Sequence, residues 1–211
     1  MTGCCSRDYE KVFGGKTASR DARRYRRRGL RGSAKTLAEL AGDVQGATVL
    51  DVGGGVGAIE IELLEAGAER ATNVELAGTY ESAARELLLE RGLAERVERR
   101  VGDFVEDSAD VPVHDVVVMH RVVCCYPDVD ALVGAGAEHA RHRMVLTYPQ
   151  ERRLVRFGIS TINAVMRLGG SSFQVYVHPF RRIAGAATGM ELVERRRSGF
   201  VWETAAFAAP G

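Results

Sequence analysis

The residues best suited to chemistry begin at Val49-Leu50-Asp51-Val52-Gly53-Gly54-Gly55-Val56-Gly57, where a β-branched run meets a glycine-rich stretch and then an amphipathic one. Glycines at such a junction let the backbone take positive φ and approach a ligand closely, and the helix that follows offers unpaired N–H groups. Alone the loop is ambiguous, because Gly53-x-Gly55-x-x-Ala58 also satisfies the dinucleotide fingerprint. Asp51 argues the other way: a carboxylate two positions before the first glycine repels a pyrophosphate but suits a ligand bearing an ammonium and a sulfonium. Glu75, 18 residues beyond Gly57, is placed to accept both hydroxyls of a ribose. In Gly102-Asp103-Phe104 a carboxylate able to accept from an exocyclic amine stands beside a ring able to flank a base.

Other candidates lie downstream. His120 closes a β-branched run and can serve as a general base near neutral pH, or hydrogen-bond backbone at a strand end. Tyr126 is a candidate acid or base, and His178, just before Pro179, a candidate for catalysis or for ordering a covering segment. Four cysteines come as two adjacent pairs, Cys4-Cys5 and Cys124-Cys125. Such thiols could hold a soft metal or metalloid, or act in redox chemistry. Vicinal side chains diverge, however, and cysteine also packs as a small buried hydrophobe.

These residues need elements to position them. Short β-branched runs at 48–52, 70–76, 97–102, 114–119 and 144–148 alternate with helical patterns at 57–66, 79–91 and 128–141, the signature of βαβ units. Residues 152–168 repeat apolar side chains at Val155, Ile159, Ile162 and Met166, which predicts a helix inserted after the fifth strand. An extended piece at 173–177 and a helix at 179–188 follow. Two runs at 191–197 and 201–207, split by Ser198-Gly199, predict an antiparallel hairpin at the end of the sheet. Residues 1–45 read as helical, with Ser33 as N-cap of a helix through Ala41. Three acids then fall at successive strand C-termini, where open α/β sheets bind ligands.

Composition bounds the rest. With 211 residues, 45% hydrophobic and 27% charged, the chain suits one globular domain with a substantial core. A net charge of +1 gives no reason to expect nucleic acid or a membrane as partner. No apolar stretch approaches the ~20 residues needed to span a bilayer. The first eight residues carry no apolar signal core, so a cytoplasmic location with free thiols is expected. Only three of 29 basic residues are lysines, so the seven arginines between Arg20 and Gly32 are first read as the solvated face of a helix with Tyr25 and Leu30 turned inward. Gripping an anionic acceptor is the other reading of that cluster.

Together, Asp51-x-Gly53-x-Gly55-x-Gly57, Glu75, Gly102-Asp103 and the terminal hairpin resemble the class I S-adenosylmethionine-dependent methyltransferases over about residues 47–208. The resemblance implies a Rossmann-like α/β fold: a seven-stranded sheet of order 3-2-1-4-5-7-6, one strand antiparallel, with helices on both faces. It also implies that S-adenosylmethionine is the cofactor. Asp51, Gly53, Gly55 and Gly57 would hold its methionine part, Glu75 with Leu76 the ribose, and Asp103 with Phe104 the adenine, with Tyr25 and His120 beside them. A Tyr-Pro after the fourth strand, the inserted helix, and Val175-Tyr176-Val177-His178 look like the magnesium-protoporphyrin O-methyltransferase branch, as do Asp8-Tyr9 and Tyr25. That likeness implies an N-terminal helical lid (1–45) on a methyltransferase domain (46–211) whose insertion, 151–178, caps an acceptor pocket. Cys125 stands where that branch usually carries histidine, so the architecture carries over and the porphyrin does not.

The expectation is methyl transfer to a small-molecule acceptor, at oxygen or nitrogen; the Asn/Asp-Pro-Pro-Tyr/Phe signature of amino methyltransferases is missing after the fourth strand. Three alternatives stay open: a metalloid or thiol-site methyltransferase using the cysteine pairs, a nicotinamide-dependent oxidoreductase, and a catalytically silent cofactor- or metal-binding module.

Overall fold

The computed structural model describes Tyr9 and residues 12–210. Its single sheet contains β1 (Thr48–Val52), β2 (Arg70–Glu75), β3 (Val97–Val101), β4 (His114–His120), β5 (Ala140–Pro149), β6 (Glu191–Ser198) and β7 (Trp202–Ala208). The spatial order is β3-β2-β1-β4-β5-β7-β6, the order that the resemblance implies. β1 to β5 run parallel, and β7 is antiparallel to both β5 and β6.

Strand alternation assigns each side chain to a face. Val49, Val116, Val118 and Val145 point to one side. There they meet α1 (Gly15–Arg28), α2 (Ser33–Leu40), α3 (Ala58–Glu65) and α4 (Glu81–Glu90) through Ala18, Ala22, Leu37, Ile61 and Leu87. Leu50, Val117, Met119, Met144 and Leu146 point to the other side. That side is covered by α5 (Val129–Glu138) and α7 (Phe180–Ala186) through Leu132, Val133 and Ile183. The N-terminal helices therefore form a structural layer: Leu37 is 0% exposed against the sheet.

Local differences from the sequence reading have physical causes. Ser33 is the first residue of α2, and Gly32, at φ 55°, is its N-cap. The Ser33 hydroxyl is committed to a partner 87 residues away and makes no cap. β5 starts at Ala140 and so shortens the preceding helix, which Asp128 caps by accepting from the Ala131 amide at 3.1 Å. The helix expected from residue 79 opens with a 3-10 turn at Gly78–Tyr80. The 173–177 segment is extended but joins no sheet. Instead Asn163 pairs with Val175 in both directions (2.8 and 2.9 Å), and the Tyr176 amide donates to the Cys124 carbonyl. Asn163 belongs to α6 (Arg153–Leu168), in which only Val155 is buried; Ile162 is exposed, as are Leu154, Phe157, Val165 and Leu168. No described helix is long and apolar enough to cross a membrane.

Candidate functional site

β1 delivers the glycine loop. Gly53, Gly55 and Gly57 take φ of 65°, 57° and 80°, the left-handed region that only glycine enters freely. A Cβ on Gly54, a position the spacing motif leaves open, would sit 2.1 Å from Asn73 Nδ2 and 2.6 Å from Asp51 Oδ2. The loop thus lies directly on those two side chains, and three consecutive cavity-facing positions, 53 to 55, need their backbone unencumbered.

Below the loop, register explains a charged row. Asp51 of β1 pairs with Asn73 of β2, which pairs with Arg99 of β3, all on one face. Arg99 donates to Glu60 (3.3 Å), Glu81 (2.9 Å) and the Gly55 carbonyl (2.9 Å), so a single guanidinium neutralises the acids and holds the loop. Asn73 donates to Glu60 at 2.6 Å. Asp51 is 0% exposed, and neither of its carboxylate oxygens has a hydrogen-bond partner; the Asn73 carbonyl oxygen also lacks one. Burial, then the neighbouring Glu60 charge, push the Asp51 carboxyl well above the carboxylate range, with Arg99 opposing. A buried, unsatisfied carboxylate under a cradle that admits no Cβ fits a cationic ligand group above it.

Above the loop a cavity of about 360 Å³ opens at the C-terminal ends of β1 to β4. Its wall includes Gly53, Gly55, Glu75, Leu76, Asp103, Phe104, His120, Tyr126 and Tyr25, each singled out from sequence. Asp51 and Gly57 are not on the wall. The former lies beneath Gly54, and the latter starts α3. Glu75 accepts from the Gly55 amide (2.8 Å) and the Ala77 amide (2.9 Å), one bond per oxygen, leaving further lone pairs on each. Burial raises its pKa and these two amides counter the rise. Tyr126 donates to Asp103 (3.2 Å), which also accepts from the Val105 amide; burial and then Asp103 push the phenol pKa up. The Tyr25 hydroxyl is spent on Glu62 at 3.0 Å, so its ring, not its oxygen, faces the cavity.

His120 lies on the α2 face, its Nε2 3.0 Å from Ser33 Oγ. Burial and then the adjacent Arg121 charge lower its pKa to about 3. Both effects favour the neutral imidazole and leave it weakly basic in the ligand-free cavity. His178 is off the cavity wall: its Nε2 is 3.0 Å from the Tyr126 carbonyl and its ring stacks on Tyr176, so it ties the segment after α6 to the loop after β4. Cys124 is buried, its thiol donating to the Arg121 carbonyl, while Cys125 reaches the cavity. Their sulfurs are 3.7 Å apart, and the contact with Cys124 lowers the Cys125 pKa. Cys4 and Cys5 lie outside the described residues, among which no metal-binding cluster occurs.

Sequence reasoning missed several wall residues. Arg121, with φ 61°, is the one non-glycine at positive φ among the described residues, and nothing in its residue type signals that. Arg24 and Arg31 also line the cavity, so the N-terminal cluster is not wholly a solvated face. Tyr9 donates to the Cys125 carbonyl at 2.6 Å and meets Phe13 and Phe173 at ring separations of 5.4 and 5.1 Å, joining the N-terminal segment to the residues after α6.

Comparison with known proteins agrees with this geometry. The magnesium protoporphyrin IX methyltransferase of Synechocystis PCC 6803, solved with S-adenosylhomocysteine bound, is 17% identical, with 97% of this chain and 94% of that one aligned at a TM-score of 0.64. An O-methyltransferase family protein from Burkholderia thailandensis reaches 0.72 at 16% identity, covering 96% of this chain and 63% of that one. The geranyl diphosphate C-methyltransferase of Streptomyces coelicolor A3(2) reaches 0.67 at 15% identity, over 84% and 75% of the two chains. At these identities the likeness establishes the fold. No curated protein sequence matches. Nothing in these findings supports a nicotinamide enzyme, a metalloid site or a silent module. Residues 9–133, more than half of the chain, match the O-methyltransferase domain model, and the protein belongs to that family of S-adenosylmethionine-dependent methyltransferases.

Proposed function

We propose that the cavity holds S-adenosylmethionine and a small-molecule acceptor together, and that the methyl group passes to an acceptor oxygen. One observation carries this reading: a single cavity joins the glycine loop, Glu75 and Asp103 to His120 and Tyr126. Its volume is in the range of small-molecule sites. The family to which the chain belongs supports oxygen as the atom methylated.

The bound cofactor supplies an electrophilic methyl on sulfur. In our reading the loop amides and the buried Asp51 charge take the methionine end, Glu75 the ribose and Asp103 with Phe104 the adenine. Catalysis then consists mainly of alignment and exclusion of water. His120 orients the acceptor as a neutral hydrogen-bonding group, and its weak basicity favours an acceptor acidic enough to lose its own proton. The N-terminal segment around Tyr9 and Phe13 acts as the lid and residues 151–178 as the cap, a reading supported by the Tyr9–Phe173 contact.

Calorimetric titration with S-adenosylhomocysteine and with NADH tests the core of this reading, followed by methyl-transfer assays on hydroxylated and aminated small molecules. Binding of S-adenosylhomocysteine, weakened about tenfold or more by Glu75→Gln, and turnover of hydroxyl acceptors are expected. A response to NADH alone, or turnover of amines only, overturns it.

A further inference from the structure

The rim of the cavity carries more positive charge than its cofactor reading uses. Arg24, Arg31 and Arg121 all line it. On the N-terminal segment Arg20 pairs with Asp21 and Arg26 with Glu86 and Glu90, while Arg23, Arg27 and Arg28 lie off the cavity wall. Among the described residues Arg24 and Arg31 have neither an ion pair nor a side-chain hydrogen bond. Arg121 bonds only the Ser33 hydroxyl, through Nε (3.3 Å) and Nη2 (3.1 Å), and lies over the Trp202 ring at 4.4 Å. Asp21 is the rim's carboxylate, and the Tyr80 hydroxyl is its hydrogen-bond donor at 3.5 Å.

Position separates Arg121 from the cofactor-binding groups. Arg121 follows β4 and reaches Trp202, which pairs with Pro149 at the end of β5. It therefore works over the β4–β5–β7 half of the sheet, while Gly53, Glu75 and Asp103 sit at the ends of β1, β2 and β3. Its backbone is held in the left-handed region, where a non-glycine persists only if the surroundings impose it, and such residues concentrate at ligand sites. Burial works against the Arg121 charge and Cys124 opposes that effect, with smaller contributions from Arg24 and Asp21; arginines that line one cavity suit an oxyanion.

We propose that Arg24, Arg31 and Arg121 form an anion-binding subsite for the acceptor, which thus carries a carboxylate or phosphate as its anchoring group. The proposal rests on the reading of the cavity as a joint cofactor and acceptor site. Guanidiniums grip both oxyanions in bidentate fashion, and the Ser33 hydroxyl, shared between Arg121 and His120, links the anchor to the residue beside the reacting atoms.

The test uses the full chain saturated with S-adenosylhomocysteine and titrated at low salt with benzoate, phenyl phosphate and benzamide. Benzoate or phenyl phosphate should bind saturably, at least about tenfold more tightly than benzamide, and the tighter anion identifies the anchoring group. Arg31→Gln and Arg121→Gln should each weaken the anion about tenfold, with Arg121→Lys restoring only part of the loss because an ammonium cannot form the bidentate pair, and S-adenosylhomocysteine affinity held within about twofold. Arg31 lies in an exposed connection, so its variant reads out even if Arg121→Gln disturbs the fold. Equal binding of benzamide and the anions overturns the proposal. So does a loss of S-adenosylhomocysteine affinity in the arginine variants, which would assign the guanidiniums to the cofactor's own carboxylate. Failure of the unsubstituted protein to bind S-adenosylhomocysteine defeats the underlying reading instead, and is recognised before any anion is added.

Discussion

Asp51 holds a carboxylate in a place with no hydrogen-bond donor closed onto it, and its ionisation there is opposed by burial and by Glu60. A group whose folded-state pKa lies above its unfolded value binds more protons in the native state, so stability falls as pH rises from about 4 through the folded pKa. Asp51→Asn removes that penalty. We expect the ligand-free protein to melt higher by about 2–4 °C for each kcal/mol recovered at pH 8, with the gain vanishing near pH 4, in thermal scans across that range. The same substitution should weaken S-adenosylhomocysteine, because the charge under the loop is lost. His120 has the opposite dependence: its pKa is depressed, so its contribution erodes as pH falls from about 6.5 towards about 3.

At the scale of elements, the strand–loop–helix unit from β1 to α3 depends on a glycine that the spacing motif does not mark. Gly54→Ala should lower the affinity for S-adenosylhomocysteine more than tenfold and cost about 1–3 kcal/mol in urea unfolding, since Asn73 and Asp51 are buried and must shift. An unchanged affinity would mean that the loop is not the cradle. Much of this architecture was legible in the residues: short β-branched runs marked the first five strands, the Ser198-Gly199 split marked the last two, and the acids at strand ends marked the ligand edge. What was not legible depends on register and on distant partners. Arg99 matters because β3 brings it beside Asn73, and its side chain type does not say so. Ser33 looked like a cap because a hydroxyl before a helical run usually is one; its use by His120 depends on a contact between α2 and β4. The exposure of α6 was likewise hidden: of its apolar stripe only Val155 is buried and Ile162 is exposed, because periodicity marks a helix and not what covers it.

At the scale of the whole molecule, Tyr9 and Phe13 on the cavity wall are tied to a part of the chain far away in sequence. Tyr9 and Phe13 both meet Phe173 edge to face, at 5.1 and 5.6 Å. Each such pair is worth about 0.5–1.5 kcal/mol. Phe173→Ala removes both, and release of S-adenosylhomocysteine, followed by stopped-flow, should accelerate roughly 5- to 30-fold. A rate unchanged by the substitution would show that the aromatic contact does not hold the lid closed.

The row Asp51–Asn73–Arg99 has a consequence for how this sheet comes apart. β3 is its outermost strand on one side, and edge strands ordinarily fray at little cost. Here the edge carries the cation that neutralises Glu60 at the heart of the molecule. Peeling β3 away would strand buried anions beneath the loop, so this border strand is bound into the cooperative unit of the centre and should open only when the centre does.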